Sequence, residues 1–145
     1  MTKFIQGQWR PLNEKKYRGD SHNIIYRSSW ERTAFEWLDR SSDIVEWNSE
    51  EVIIPYRSPV DGRMHRYFVD LWLKKRNGTV FLAEIKPLAQ TQPPKPPKSG
   101  RKTRRYANEV TTFLVNKAKW EAAMKYCKKK GWQFVILTEK TLKRG

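Results

Sequence analysis

The chain is poor in cysteine, histidine and acidic side chains. Of its 145 residues one is cysteine and two are histidine. The lone thiol, Cys127, has no internal disulfide partner and points to a reducing compartment. With so few sulfur and imidazole ligands, no structural zinc site is expected. No run of about 18 apolar residues occurs, so no helix is expected to span a bilayer. The first residues lack the apolar segment of a secretory signal. Acidic residues number 15 against 30 Lys and Arg, a net charge of +15. Such an imbalance asks for a polyanionic partner, with nucleic acid first, an anionic membrane surface second, and solubility alone as the plain alternative. No membrane partner is expected.

What is present suits one domain, 1–145, with a real core. Residues 1–27 are polar, spiked with aromatics and without a clear period, and are taken as an irregular N-terminal segment. From Ser28 to about Arg40, Trp30, Ala34, Trp37 and Leu38 share one helical face. Residues 44–48 suit a short strand or extended link, and 52–57 a strand. Residues 64–74 and 79–86 are expected as the central strands. Pro87 then stops the sheet, and 87–103 form a mobile, basic, proline-rich loop. A helix resumes near Arg104, with Asn116 either capping a second helix or lying inside a long one. Trp120, Ala123, Met124 and Cys127 form its apolar stripe. Gly131 suits a helix stop, and 132–137 a last strand. Helix, strands, helix, strand is the order of an α/β or α+β layered domain.

The feature that separates a catalyst from a basic binding domain lies in the central strands. Asp70, Glu84 and Lys86 interrupt otherwise apolar runs around an Asn77-Gly78 turn. A buried charge is costly unless paired or bound to a metal. Glu84 and Lys86 are two apart and project from the same face. A two-residue turn would put Asp70 on the opposite face; a three-residue loop, Arg76-Asn77-Gly78, shifts the register by one and brings Asp70 opposite Glu84. That loop is the expectation. The side chains suit phosphodiester hydrolysis: Asp70 and Glu84 as ligands of Mg²⁺ or Mn²⁺, the Ile85 carbonyl as a further ligand, and Lys86 to orient water and stabilise charge on the phosphate. A salt-bridged trio at a sheet rim is the competing reading.

Other residues carry rival readings too. Ser28-x-x-Glu31 is a capping box. Lys95, Lys98, Arg101, Lys102, Arg104 and Arg105 form a basic run that leaves the sheet directly after Lys86. Charge runs are usually solvated linkers, but here DNA phosphate contact is expected, which positions without reading sequence. His65 and His22 are expected at the surface. Trp30, Trp37, Trp72 and Trp120 are expected in packing, and Trp9 has no assigned place.

Asp70…Glu84-Ile85-Lys86 resembles the PD-(D/E)XK signature of restriction-endonuclease-like nucleases, with Val69 where the usual proline stands. The element order is also similar to the endonuclease subunit of a cut-and-paste transposase. Longer stretches resemble the head-completion nucleases of T-even-like tailed phages: Tyr26-Arg-Ser-Ser-Trp-Glu-Arg, Trp47-Asn-Ser-Glu50-Glu-Val-Ile-Ile-Pro-Tyr56, His65-Arg-Tyr-Phe-Val-Asp70, Asn116-Lys-Ala-Lys-Trp and Gly131-Trp-Gln-Phe-Val-Ile-Leu-Thr-Glu. The resemblance implies a central mixed β-sheet flanked by helices. It implies Glu31 as a fourth member of the catalytic set and a third carboxylate for the metal. Asn116 and Lys119 become candidates for assisting the site from the following helix, although capping and surface exposure also account for them. It further implies DNA as substrate, action on the filled capsid in the host cytoplasm or at the virion head and neck, and portal or neck proteins as partners. The sequence does not distinguish monomer from dimer. The competing class is a non-catalytic, DNA-gripping virion protein with a vestigial site; an RNA-binding protein would explain the charge but not the carboxylates.

Overall fold

The computed structural model describes residues 6–142. In chain order the elements are β1 (Gly7–Trp9), β2 (Ile24–Tyr26), α1 (Ser29–Arg40), β3 (Ile44–Ser49), β4 (Ile53–Arg57), β5 (Met64–Phe68), β6 (Leu71–Lys75), β7 (Val80–Ile85), α2 (Arg104–Lys130), β8 (Gln133–Leu137) and α3 (Glu139–Leu142). Two 3-10 turns, Glu14–Lys16 and Leu88–Thr91, lie between them.

The central sheet has the order β3-β6-β7-β8. Its first three strands are antiparallel, and β8 runs parallel to β7. A parallel pair needs a long crossover, and α2 supplies it. Alternation along β7 divides the core in two. Phe81, Ala83 and Ile85 face the α1 side with Phe35, Leu38 and Trp47. Leu82 faces the α2 side with Ala123, Cys127, Val69 and Tyr67. Glu84 is on this second face.

Local chemistry sets the helix ends. Ser28 is extended, and its Oγ accepts the Glu31 amide at 3.1 Å, closing the first turn of α1. Thr103 caps α2 by accepting the Tyr106 amide at 3.0 Å. Gly131 ends α2 at φ 75°, a left-handed conformation that glycine adopts without strain. Asn116 lies buried inside one unbroken α2, so it caps nothing. The buried face of α2 is Asn116, Trp120, Ala123 and Cys127; Met124, expected there, is 50 % exposed.

Two expectations are corrected. Residues 64–74 are not one strand. β5 pairs with β4 in a separate two-stranded sheet, and β6 belongs to the central one. At the break the Val69 amide donates to the Val52 carbonyl (3.0 Å) and the Glu50 amide donates to the Asp70 carbonyl (3.2 Å), which turn the chain from one sheet onto the other. Nor are residues 1–27 irregular throughout. β1 and β2 pair antiparallel, and Trp9 packs edge-on against Phe35 and Trp47, each at 5.7 Å between ring centroids. Buried Asp39 ties this segment to α1 by accepting the amides of Leu12 (2.9 Å) and Asn13 (3.0 Å). No local period announces such a segment, because its partners lie on α1 and β3. The short α3 was not expected either.

The β6–β7 connection is the three-residue loop that the chemistry required. Lys75 and Thr79 close it, the Lys75 amide donating to the Thr79 carbonyl at 2.8 Å. Gly78 takes φ 91° there. Leu71 consequently sits opposite Ala83, and Trp72 opposite Leu82, which carries Asp70 to the level of Glu84. Gly78→Ala should destabilise the fold by roughly 1–2 kcal/mol, the cost of a left-handed backbone for an L side chain. A denaturant melt measures it, and an unchanged midpoint would contradict this role.

Candidate active site

Asp70 sits at the corner where the chain passes from β5 to β6. Its backbone carbonyl is held by the Glu50 amide, and its Oδ2 accepts the Ile85 amide at 2.8 Å. The second bond ties the Asp70 carboxylate to the residue between Glu84 and Lys86. Glu84 is 6 % exposed. One of its oxygens, Oε1, faces the Lys86 ammonium at 3.7 Å. The other, Oε2, accepts a hydrogen bond from the Tyr67 hydroxyl. Lys86 lies just past the end of β7, its amide bonded to the Leu137 carbonyl of β8 at 3.0 Å, and its side chain is 27 % exposed. The structure therefore brings Asp70, Glu84, Ile85 and Lys86 together.

Electrostatics make this a strained grouping. Burial, with the neighbouring Glu84 charge, pushes the Asp70 carboxyl well above its usual range. Burial raises Glu84 too, against the hydrogen bond from Tyr67 and the charges of Lys86 and Lys119. Glu31 is raised by burial, opposed by its bond to the Arg27 amide, and raised further by Glu50. Carboxylates held apart from water and close to one another favour protonation or a cation.

Glu31 plays the capping part that sequence allowed. Its Oε2 accepts the Arg27 amide at 2.9 Å, one residue before the N-cap. Among the described residues, no three His, Cys, Asp or Glu side chains are gathered closely enough to hold an ion by themselves. Asp70, Glu84 and the Ile85 carbonyl are the donors that could hold a hard cation, with water completing the shell as is usual for Mg²⁺. Buried Glu84 and half-buried Asp70 carry charge opposite to such an ion, and the Lys86 ammonium offsets part of it.

Three residues beside the site escaped sequence reasoning. Tyr67, on β5, is buried and anchors Glu84; its place follows from the bend at Asp70, which the sequence pattern does not show. Glu50 has φ 58°, the one non-glycine residue with positive φ among the described residues. Arg27 pairs with Glu50 at 2.5 Å, and the charges of Glu31 and Asp70 also raise it. Of the other candidates, Lys119 is neither a cap nor fully exposed: its Nζ lies 5.6 Å from the Tyr67 ring centre and 5.8 Å from that of Tyr56. Buried Asn116 is one turn earlier on α2. Lys95, Lys98, Arg101, Lys102, Arg104 and Arg105 are all exposed on the loop and the start of α2, with Arg105 paired to Glu109 at 3.2 Å. His65 bonds Asp61 at 2.8 Å at the β4–β5 turn, and His22 bonds Arg10 at 2.8 Å.

A carboxyl with a raised folded pKa contributes stability that is full below its unfolded value, about 3.9 for Asp, and that is lost as pH rises through the folded value. Metal-free protein should therefore lose stability from about pH 4 upward as Asp70 and Glu84 ionise. Asp70→Asn keeps an acceptor for the Ile85 amide and never ionises. It should melt above the wild type near pH 8, with the gap closing towards about pH 4. Thermal melts in chelator check this; a variant that melts lower at the higher pH would contradict the electrostatic account.

Residues 41–139, which include Asp70, Glu84 and Lys86, match the family described as TnsA-like endonuclease N terminal. The chain is also 45 % identical over 139 residues to the head completion nuclease of Enterobacteria phage T4, covering 94 % of this chain and 93 % of that protein. The mixed sheet between α1 and α2 is the restriction-endonuclease-like fold of such enzymes. A match that holds both the sheet and its paired carboxylates makes the chain a member of the TnsA-like endonuclease family, within the PD-(D/E)XK superfamily.

Proposed function

We propose that this protein is a divalent-metal-dependent DNA endonuclease that processes DNA ends during phage head completion. The observation that carries the reading is Asp70, one residue before the Leu71–Ala83 pair, bonded to the Ile85 amide beside Glu84 and Lys86. The name of the T4 relative supports the assembly context. In that context the protein acts in the host cytoplasm or at the head and neck, beside portal or neck proteins.

Asp70, Glu84 and the Ile85 carbonyl would hold Mg²⁺ or Mn²⁺, which would supply polarisation of the scissile phosphate and acidification of a water. Lys86, partly exposed, reaches the scissile phosphate, orients the attacking water and stabilises charge that develops on the phosphate oxygens. Tyr67 keeps Glu84 ionised and fixed through one oxygen, leaving the other for the ion and Lys86. Glu31 contributes through water, one of its two oxygens being engaged with the Arg27 amide. The exposed basic residues from Lys95 to Arg105 hold the backbone without reading sequence.

Purified protein should nick plasmid DNA with Mg²⁺ and not with chelator. Lys86→Ala should lower the rate by roughly 10²-fold or more while melting like the wild type. Equal rates in the two proteins would overturn the proposal.

Tyr67→Phe separates the hydroxyl from the ring. Losing a hydrogen bond to the charged form raises Glu84 further, so the acid limb of the pH–rate profile should move up by about one unit. An unmoved limb would exclude Tyr67 from control of Glu84.

A further inference from the structure

We propose that a cleft between α2 and the proline-rich loop takes an unpaired DNA strand, so that the substrate is an end or junction with single-stranded DNA rather than uninterrupted duplex. The inference rests on the nuclease reading and names its substrate class.

The cleft has a volume of about 770 Å³. Its walls are the segment just after Pro87 and the first stretch of α2, from Arg104 to Asn116. Four carboxamides line it, from Gln90, Gln92, Asn108 and Asn116, together with the Arg104 guanidinium and the Phe113 ring. Glu109, the acid in the lining, is held by Arg105 at 3.2 Å. Phe113 is half-buried, yet it packs with neither hydrophobic core. An aromatic ring outside the core, among carboxamides and guanidinium groups, is what an unstacked base requires. Rings stack on any base, Asn and Gln bond to base edges, and cations track the phosphates.

The position agrees with the chemistry. From Arg104 to Asn116 the cleft runs about 18 Å along α2, about five nucleotides at stacked spacing. Its inner end approaches the catalytic group from both walls. Asn116 is one turn before Lys119, whose ammonium rests on the Tyr67 ring. Ala89, another lining residue, is three residues after Lys86. A strand leaving the Lys86 side can follow this track. Its lining, drawn from both the loop and α2, suits a single strand with its bases exposed rather than a closed duplex. The volume is in the range that encloses a small molecule, roughly 300–1,000 Å³.

Fluorescence anisotropy in chelator, which prevents cutting, tests the inference. Three labelled probes are needed: a blunt duplex, and the same duplex with a single-stranded extension of about ten nucleotides on either the 3′ or the 5′ end. The extended probe of one polarity should bind roughly tenfold tighter than the blunt one. Phe113→Ala should remove that preference, a loss of roughly fivefold or more, without weakening the blunt duplex. The double variant Gln92→Ala with Asn108→Ala, at exposed positions, gives the same readout if the Phe113 variant does not fold. Equal binding of blunt and extended probes, or a proportional loss on both, would overturn the inference. Lys86→Ala protein should keep the preference. Failure of the nuclease reading, seen as unchanged cutting by that variant, is therefore distinguishable from failure of this one.

Discussion

The bond from the Ile85 amide to the Asp70 carboxylate is the contact on which the site depends. It forms only if β6 and β7 pair with Leu71 opposite Ala83. A slip of one residue would turn Asp70 to the α1 side of the sheet, away from Glu84. Three features oppose the slip. The Arg76-Asn77-Gly78 loop fixes the count between strands. The alternating apolar residues of β7 fit two different cores, one under α1 and one under α2. The Glu50 amide, just past the end of β3, pins the Asp70 carbonyl.

Stability is set against chemistry at this corner. Asp70, Glu84 and Glu31 all have raised carboxyl pKa values, with burial the main cause. Glu50 adds a left-handed backbone, which costs a side-chain-bearing residue about 1–2 kcal/mol. The surrounding structure opposes these effects: Trp47 is fully buried among Tyr17, Phe35 and Trp9 on the α1 side. A grouping of like charges that the fold tolerates only because the rest is well packed is a common property of sites that take a cation or a reacting group.

Much of this was legible in the residue order. Period two in β7 placed Glu84 with Lys86, and the need to bring Asp70 beside them selected the three-residue turn over the two-residue one. The helical stripes located α1 and α2, and Gly131 marked the end of α2. What escaped was set by contacts distant in sequence. The break at Val69-Asp70 has no turn residue; it follows from bonds to Val52 and Glu50. With the break hidden, Tyr67 looked like an ordinary strand position, when the bend in fact swings it under Glu84. The N-terminal strands are three residues each, too short for a period; Trp47 packs on Trp9 of β1, and Asp39 holds the segment between the two strands. Glu31 fitted two roles in sequence, and its geometry serves the cap first.

If the β6–β7 register builds a site for a hard cation and its phosphate, the ion must sit between Asp70 and Glu84. A crystal soaked in Mn²⁺ and measured at a wavelength where manganese scatters anomalously tests it most directly. The account predicts an anomalous peak touching an Asp70 oxygen, a Glu84 oxygen and the Ile85 carbonyl, with water completing the shell. Ordered carboxylates with no peak between them, or manganese held elsewhere in the chain, would contradict it.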